Sequence, residues 1–169
     1  MAYRDPDYYV ASAAVGVLGD GMSSRLFPEV REKRGLCYSV YASHGTLLDR
    51  GSVFGYAGTS AERAQETLDV MLHEIVRLSE GIEAGELDRL KARIKSSLIM
   101  QQESTSARSA LLTRDWYFLG RVRTLDEVEA IVDGLSADEI NRYLASHRPE
   151  KFTIVTLGPK ALEVPVGIS

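Results

Sequence analysis

The sequence predicts an α+β fold, a mostly antiparallel sheet with helices packed on one of its faces. Three observations predict it. Apolar residues recur at helical spacing through most of the chain. The period changes to two only over residues 36–59 and again in Lys151–Leu157, KFTIVTL. Helices and strands come in blocks rather than in regular alternation, which rules against a doubly wound parallel sheet. Three strands make a thin sheet for this much helix. A further strand is therefore expected, from the N-terminal side or from a partner.

Taken in order, Asp5 and Pro6 offer an N-cap and a first helical position, and Tyr9, Val10, Ala13, Ala14 and Val17 mark a buried helix ending at Gly19. Gly19-Asp20-Gly21 turns the chain into a second expected helix, residues 22–34. Ser23 and Ser24 precede its apolar stripe of Met22, Leu26, Phe27 and Val30. Pro28 either kinks that helix or splits it. Residues 36–47 and 52–59 read as two strands joined near Asp49-Arg50-Gly51, a hairpin composition. Ser60 opens a helix whose stripe is Leu68, Met71, Leu72, Ile75 and Val76, stopped by Gly81. A helix over 83–103 follows, then one through Leu119 ended by Gly120, with Glu86 and Asp88 expected to pair with cations one turn on. Thr124 and Ser136 cap two short helices, and Lys151–Leu157 closes the pattern as a strand.

The chain has 169 residues, long enough for one domain that buries roughly 70% of its unfolded surface. Its 20 Lys and Arg against 24 Asp and Glu give a net charge of −4, which argues against nucleic acid or an anionic membrane as the main partner. One cysteine, Cys37, excludes an internal disulfide and fits a reducing compartment. No apolar run approaches the roughly 20 residues of a membrane span. The N-terminal residues have no apolar core of a signal peptide. The expected location is the cytoplasm, or the periplasm should a longer precursor carry a signal.

Motifs for chemistry are sparse. His73-Glu74-Ile75-Val76-Arg77 fails as a zinc helix, because the second histidine of H-E-x-x-H is an arginine and a cation there repels the metal. The reversed H-x-x-E-H pattern is absent. His44 and His147 stand alone. Cys37 follows Arg34 but has no histidine near it in sequence, so a buried structural thiol is expected. Gly19-Asp20-Gly21 is better read as a tight turn than as an anion site, since Asp20 opposes a phosphate. The basic run Arg31–Arg34 is interrupted by Glu32. Arg31 and Tyr38 flank the helix-to-strand turn. A guanidinium fork and a phenolic hydroxyl suit a peptide backbone or a polarised carbonyl, as well as ordinary surface positions.

The run from Leu18 to Tyr41, LGDGMSSRLFPEVREKRGLCYSVY, closely resembles the second domain of the insulinase/pitrilysin-type zinc peptidases, in their bacterial, processing-peptidase-like branch. The resemblance extends from Asp5-Pro6-Asp7-Tyr8-Tyr9 to Leu157-Gly158-Pro159. It implies a half-domain of the LuxS/processing-peptidase-like type. In such enzymes two homologous halves close around an unfolded peptide. One half bears H-x-x-E-H and zinc. The other bears no metal and supplies an Arg and a Tyr, which correspond to Arg31 and Tyr38. The longer glycine-rich loop of noncatalytic processing subunits is not matched by the short Gly19–Gly21 turn, so its role is not transferred.

The resemblance also implies a strand before Asp5, so the chain is expected to be a C-terminal half-domain, residues 1–169, that lacks its first strand. The function expected is that of a non-catalytic half of a zinc metalloendopeptidase. It would close over the partner half's active site and hold extended peptide. No catalytic residue, zinc ligand or cofactor is expected on this chain; the zinc belongs to the partner half. An open sheet edge invites pairing with a second copy. The rival readings are a catalytically inactive scaffold subunit of the same fold and an independent thiol enzyme using Cys37.

Overall fold

The computed structural model describes residues 1–164. The core is built on α1 (Tyr8–Gly19), an almost wholly apolar helix whose small residues let neighbours approach from several sides. Its last residue, Gly19, lies against the backbone of Ala42, where a Cβ would collide with the strand. The helix begins two residues later than the Asp-Pro signal suggests. Asp5 Oδ1 accepts from the Asp7 amide at 3.0 Å, forming an Asx turn ahead of the helix rather than capping it.

The expected helix over 22–34 does not form. Residues 22–25 are turns, and a π-helical segment, Phe27–Glu32, takes its place. Pro28 has no N–H to give to the preceding turn. The downstream bonds are wide, with the Lys33 amide donating to Pro28 O at 2.9 Å and the Leu36 amide to Val30 O at 3.0 Å. Leu26 and Val30 are fully buried, whereas Met22, expected in that stripe, is 75% exposed.

Two strands follow, β1 (Cys37–Thr46) and β2 (Gly51–Thr59), paired antiparallel. A bulge separates Cys37↔Thr59 from Ser39↔Gly58, leaving Tyr38 as the extra residue. The inner face carries Val40, Ala42 and Ala57 against the helices. The expected third strand is a correction: Lys151–Leu157 takes no regular secondary structure and joins no ladder, and Val155 and Leu157 stand exposed. An alternating pattern specifies a strand only where a neighbour offers an unpaired edge, and the described sheet is β1–β2 alone.

The helices lie on the inner face and around α1. In α2 (Ala64–Arg77), Met71 and Leu72 are buried, but Val76, expected in the same stripe, is exposed. Helix α3 (Ala84–Glu103) starts with a capping box between Glu83 and Glu86. Glu86 does not serve the local pairing expected of it. It takes a bidentate bond from Arg25 instead, at 2.7 and 2.8 Å. Helices α4 (Thr105–Leu119), α5 (Leu125–Gly134) and α6 (Ala137–Ser146) complete the fold, with caps from Ser104, Thr124 and Ser136. Ile140 and Val132 enter the core, each contributing about 1.5–3 kcal/mol of burial. Among the described residues no helix is long and apolar enough to cross a membrane.

The N-terminal segment is fixed by a charged clamp. Asp115, on α4, accepts from Tyr3 Oη at 2.8 Å and from Arg123 at its amide, Nε and Nη2, the last at 2.6 Å. Arg123 also donates to the hydroxyls of Tyr3 and Tyr9. The clamp ties residues 1–9 to the α4–α5 junction and so fixes the pitch of α1 under the sheet.

Candidate functional site

The site is the corner where the π-helical turn meets β1. Its foundation is rigid. Arg25 donates to Gly81 O at 2.7 Å as well as to Glu86, and both charged side chains are largely buried. Burial works to raise the Glu86 carboxyl, but the Arg25 bonds outweigh it and hold its pKa below the usual range. On the other side, Arg93 of α3 pairs with Asp20 and donates to its carbonyl, which makes Gly19–Gly21 the tight turn expected.

The cations at the corner are not equivalent. Lys33 and Arg34 both bind Glu29, at 2.5 and 2.8 Å, and Arg34 also donates to Glu29 O at 2.6 Å. Those bonds, from Lys33 first, lower the Glu29 pKa. Arg63 donates to the carbonyls of Arg34 and Gly35. Arg31 is different. Among the described residues its side chain makes no hydrogen bond and no ion pair. Its guanidinium lies 4.9 Å from the Phe27 ring centroid, so its five donors remain available while a cation–π contact holds the head in place.

Tyr38 sits at the bulge, 68% exposed. Its ring lies down over Gly58 on the neighbouring strand, where a Cβ would come within 2.5 Å of Cζ and 2.6 Å of the hydroxyl. Only glycine leaves room for that pose. Tyr56, two residues back along β2, has its pKa raised chiefly by the neighbouring Tyr38 hydroxyl. Arg31 and Tyr38 are linked through Cys37, which adjoins Tyr38 in the chain and feels the charge of Arg31. They make no bond to each other.

Cys37 is buried, and burial pushes its thiol pKa up, with Arg31 offsetting part of the effect. Tyr41 stands partly exposed beside Tyr56 with ring centroids 5.5 Å apart. Gly58 and Tyr56 are the residues that sequence reasoning passed over. Strand alternation alone would have put Tyr56 opposite Tyr41, but the bulge that lays Tyr38 on Gly58 has no residue signature.

The residues present do not fit a zinc centre. Glu74 is buried and binds Arg77 with both oxygens at 3.0 Å, while His73 points outward, 71% exposed. His44 is bonded to Ser12 at 2.7 Å, and His147 stacks on Tyr143. Among the described residues no three His, Cys, Asp or Glu side chains assemble to hold a metal ion.

Comparison with known proteins places this architecture. The profile described as the peptidase M16 inactive domain matches residues 1–94, more than half of the chain. The chain belongs to the peptidase M16 inactive-domain family. Among M16 relatives, it is 33% identical over 144 residues to the uncharacterized zinc protease YmxG of Bacillus subtilis, a match covering 85% of this chain and 35% of that protein. It is 33% identical over 148 residues to the uncharacterized zinc protease Rv2782c of Mycobacterium tuberculosis, covering 84% and 33%. The crystal structure of a peptidase M16 inactive domain from Pseudomonas fluorescens superposes with a TM-score of 0.76 at 26% identity, over 87% of this chain and 35% of that one. A protease from Helicobacter pylori gives 0.69 at 25% identity, over 86% and 35%. The chain thus spans about a third of the length of the curated relatives it matches.

Proposed function

We propose that this chain is the metal-free half of a two-half zinc metalloendopeptidase, one that closes over a partner half bearing H-x-x-E-H and holds extended peptide there. Arg31 carries the reading. Its side chain is the one cation of the 25–34 segment with no hydrogen-bonded or ionic partner among the described residues, and the exposed Tyr38 lies seven residues on, at the start of β1. An exposed guanidinium with free donors and a phenol can grip a peptide carbonyl and stabilise charge developing on it. The zinc and the water it activates belong to the partner half. An extended strand from the rest of the enzyme lies along an open edge of the thin sheet. Pairing of two copies through that edge is the competing use of it.

The test is made in the enzyme assembled from both halves. Arg31→Ala and Tyr38→Phe are each expected to lower kcat/KM by about 10- to 100-fold without dissociating the halves. If turnover is unchanged in both variants, the chain acts as a scaffold subunit and the reading fails. Alone, the polypeptide is expected to hydrolyse no peptide.

A further inference from the structure

The outward face of the sheet is unusual for a surface in contact with water. The register puts Ser39 with Gly58, Tyr41 with Tyr56, Ser43 with Phe54 and Gly45 with Ser52. Tyr38, Tyr41, Phe54 and Tyr56 are between 40% and 68% exposed, and Tyr41 lies 6.2 Å from Phe54 between ring centroids. Neither strand contains a single Asp, Glu, Lys or Arg. Solvent-facing strands ordinarily carry charges, which protect them from association. The four rings run away from the Arg31–Tyr38 corner, and Tyr38 belongs to both.

Its size says what it suits. Two strands are about 10 Å wide, and the rows from Ser39 to Gly45 run about 20 Å, a footprint on the order of 200 Å². A stable dimer needs roughly 800 Å² from each partner. One extended chain fits such a strip. Tyrosine and phenylalanine rings bind apolar side chains at low entropic cost.

We propose that this aromatic face is the specificity surface of the peptide site, taking extended segments whose sheet-facing, alternate side chains are aromatic or large and aliphatic. The inference rests on the peptide-holding reading above and adds the class of peptide. Tyr41 and Phe54 discriminate, while Arg31 and Tyr38 hold the backbone of any sequence.

The test uses the 169-residue chain and two labelled nine-residue peptides of equal charge, one with Phe and Leu at alternate positions, the other with Ser there. Binding is followed by fluorescence anisotropy and by amide shifts. The apolar peptide is expected to bind about tenfold more tightly, from two ring contacts, with shifts in residues 38–41 and 54–58. Tyr41→Ser with Phe54→Ser should abolish that preference, leaving thermal melting and the Ser peptide's affinity unchanged. Arg31→Ala should weaken both peptides alike. Equal affinities, no binding of either peptide, or a preference that survives the double substitution overturns the inference. So does a chain that sediments at twice its mass and becomes monomeric in the double variant, since the occupant is then a second copy. If Arg31→Ala weakens both peptides but the preference persists, the specificity surface alone fails. If Arg31→Ala and Tyr38→Phe change neither affinity, the peptide-holding reading fails with it.

Discussion

Replacing Asp115 with asparagine keeps the shape of the side chain and removes its charge, which leaves Arg123 cationic in a site where the two partners are only 9% and 8% exposed. Asp115 accepts four hydrogen bonds, three from Arg123 and one from Tyr3. Breaking one side of a buried pair costs about 3–5 kcal/mol, most of it the penalty of the stranded charge. A chain of this size loses roughly 2–4 °C in Tm per kcal/mol, so Asp115→Asn is expected to lower Tm by about 6–20 °C. Thermal and urea unfolding followed by circular dichroism measure it. A double-mutant cycle with Arg123→Met separates coupling from desolvation, and the double variant should recover about 2–3 kcal/mol of the summed losses. The pH dependence has a definite sign. Burial works to raise the Asp115 carboxyl, but the bonds from Arg123 and Tyr3 outweigh it and hold the pKa below its ordinary 3.8. A depressed carboxylate contributes stability that is present above 3.8 and is lost as pH falls through the folded value. Burial and the bond to Asp115 push the Tyr3 hydroxyl up to about 12 from 10, a contribution complete below pH 10 and lost as pH rises through 12. The variant should lack the acid component. Additive single losses below about 1 kcal/mol would show that the clamp is incidental to the fold.

Two further predictions concern the corner itself. Gly58→Ala places a methyl where the Tyr38 ring lies; because that ring is exposed and free to swing, stability should change by less than about 1 kcal/mol. Displacing the Tyr38 ring should lower the Tyr56 pKa in a spectroscopic tyrosine titration, and an unchanged titration would contradict the pose. Cys37, buried and raised in pKa, should alkylate slowly with iodoacetamide at neutral pH and react fully only on unfolding. Fast alkylation of the native chain would revive the thiol-enzyme alternative.

The helices were legible because their signals are local. Thr124 with Glu127 and Ser136 with the Glu139 amide form where the sequence puts them. So does the stop at Gly120, which is left-handed with φ of 70°. Where the outcome depends on distant partners, local signals fail. The alternation in Lys151–Leu157 is sound, yet a strand is a relation between two segments, and this one finds no ladder among the described residues. Glu86 has cations one turn away in its own helix, but Arg25, 61 positions distant, reaches it with better geometry in a drier place. The family resemblance supplied Arg31 and Tyr38, and residue chemistry alone left them level with ordinary surface side chains.

The widened turn explains why one arginine of that crowded segment is set apart. An ordinary helix over 22–34 places residues at i and i+4 on one side, which would set Arg31 beside Phe27 and Gly35 and leave Glu29 facing Lys33. The π-helical turn keeps that last pair but turns the chain about one residue further before Gly35. Arg34 thereby comes back over Glu29 as well, at 2.8 Å. With two cations on one carboxylate, Glu29 is taken, and the aromatic ring of Phe27 supports Arg31. Pro28 stands in the first turn of this segment, where its missing amide costs no bond of the ladder and its carbonyl takes the wide bond from Lys33.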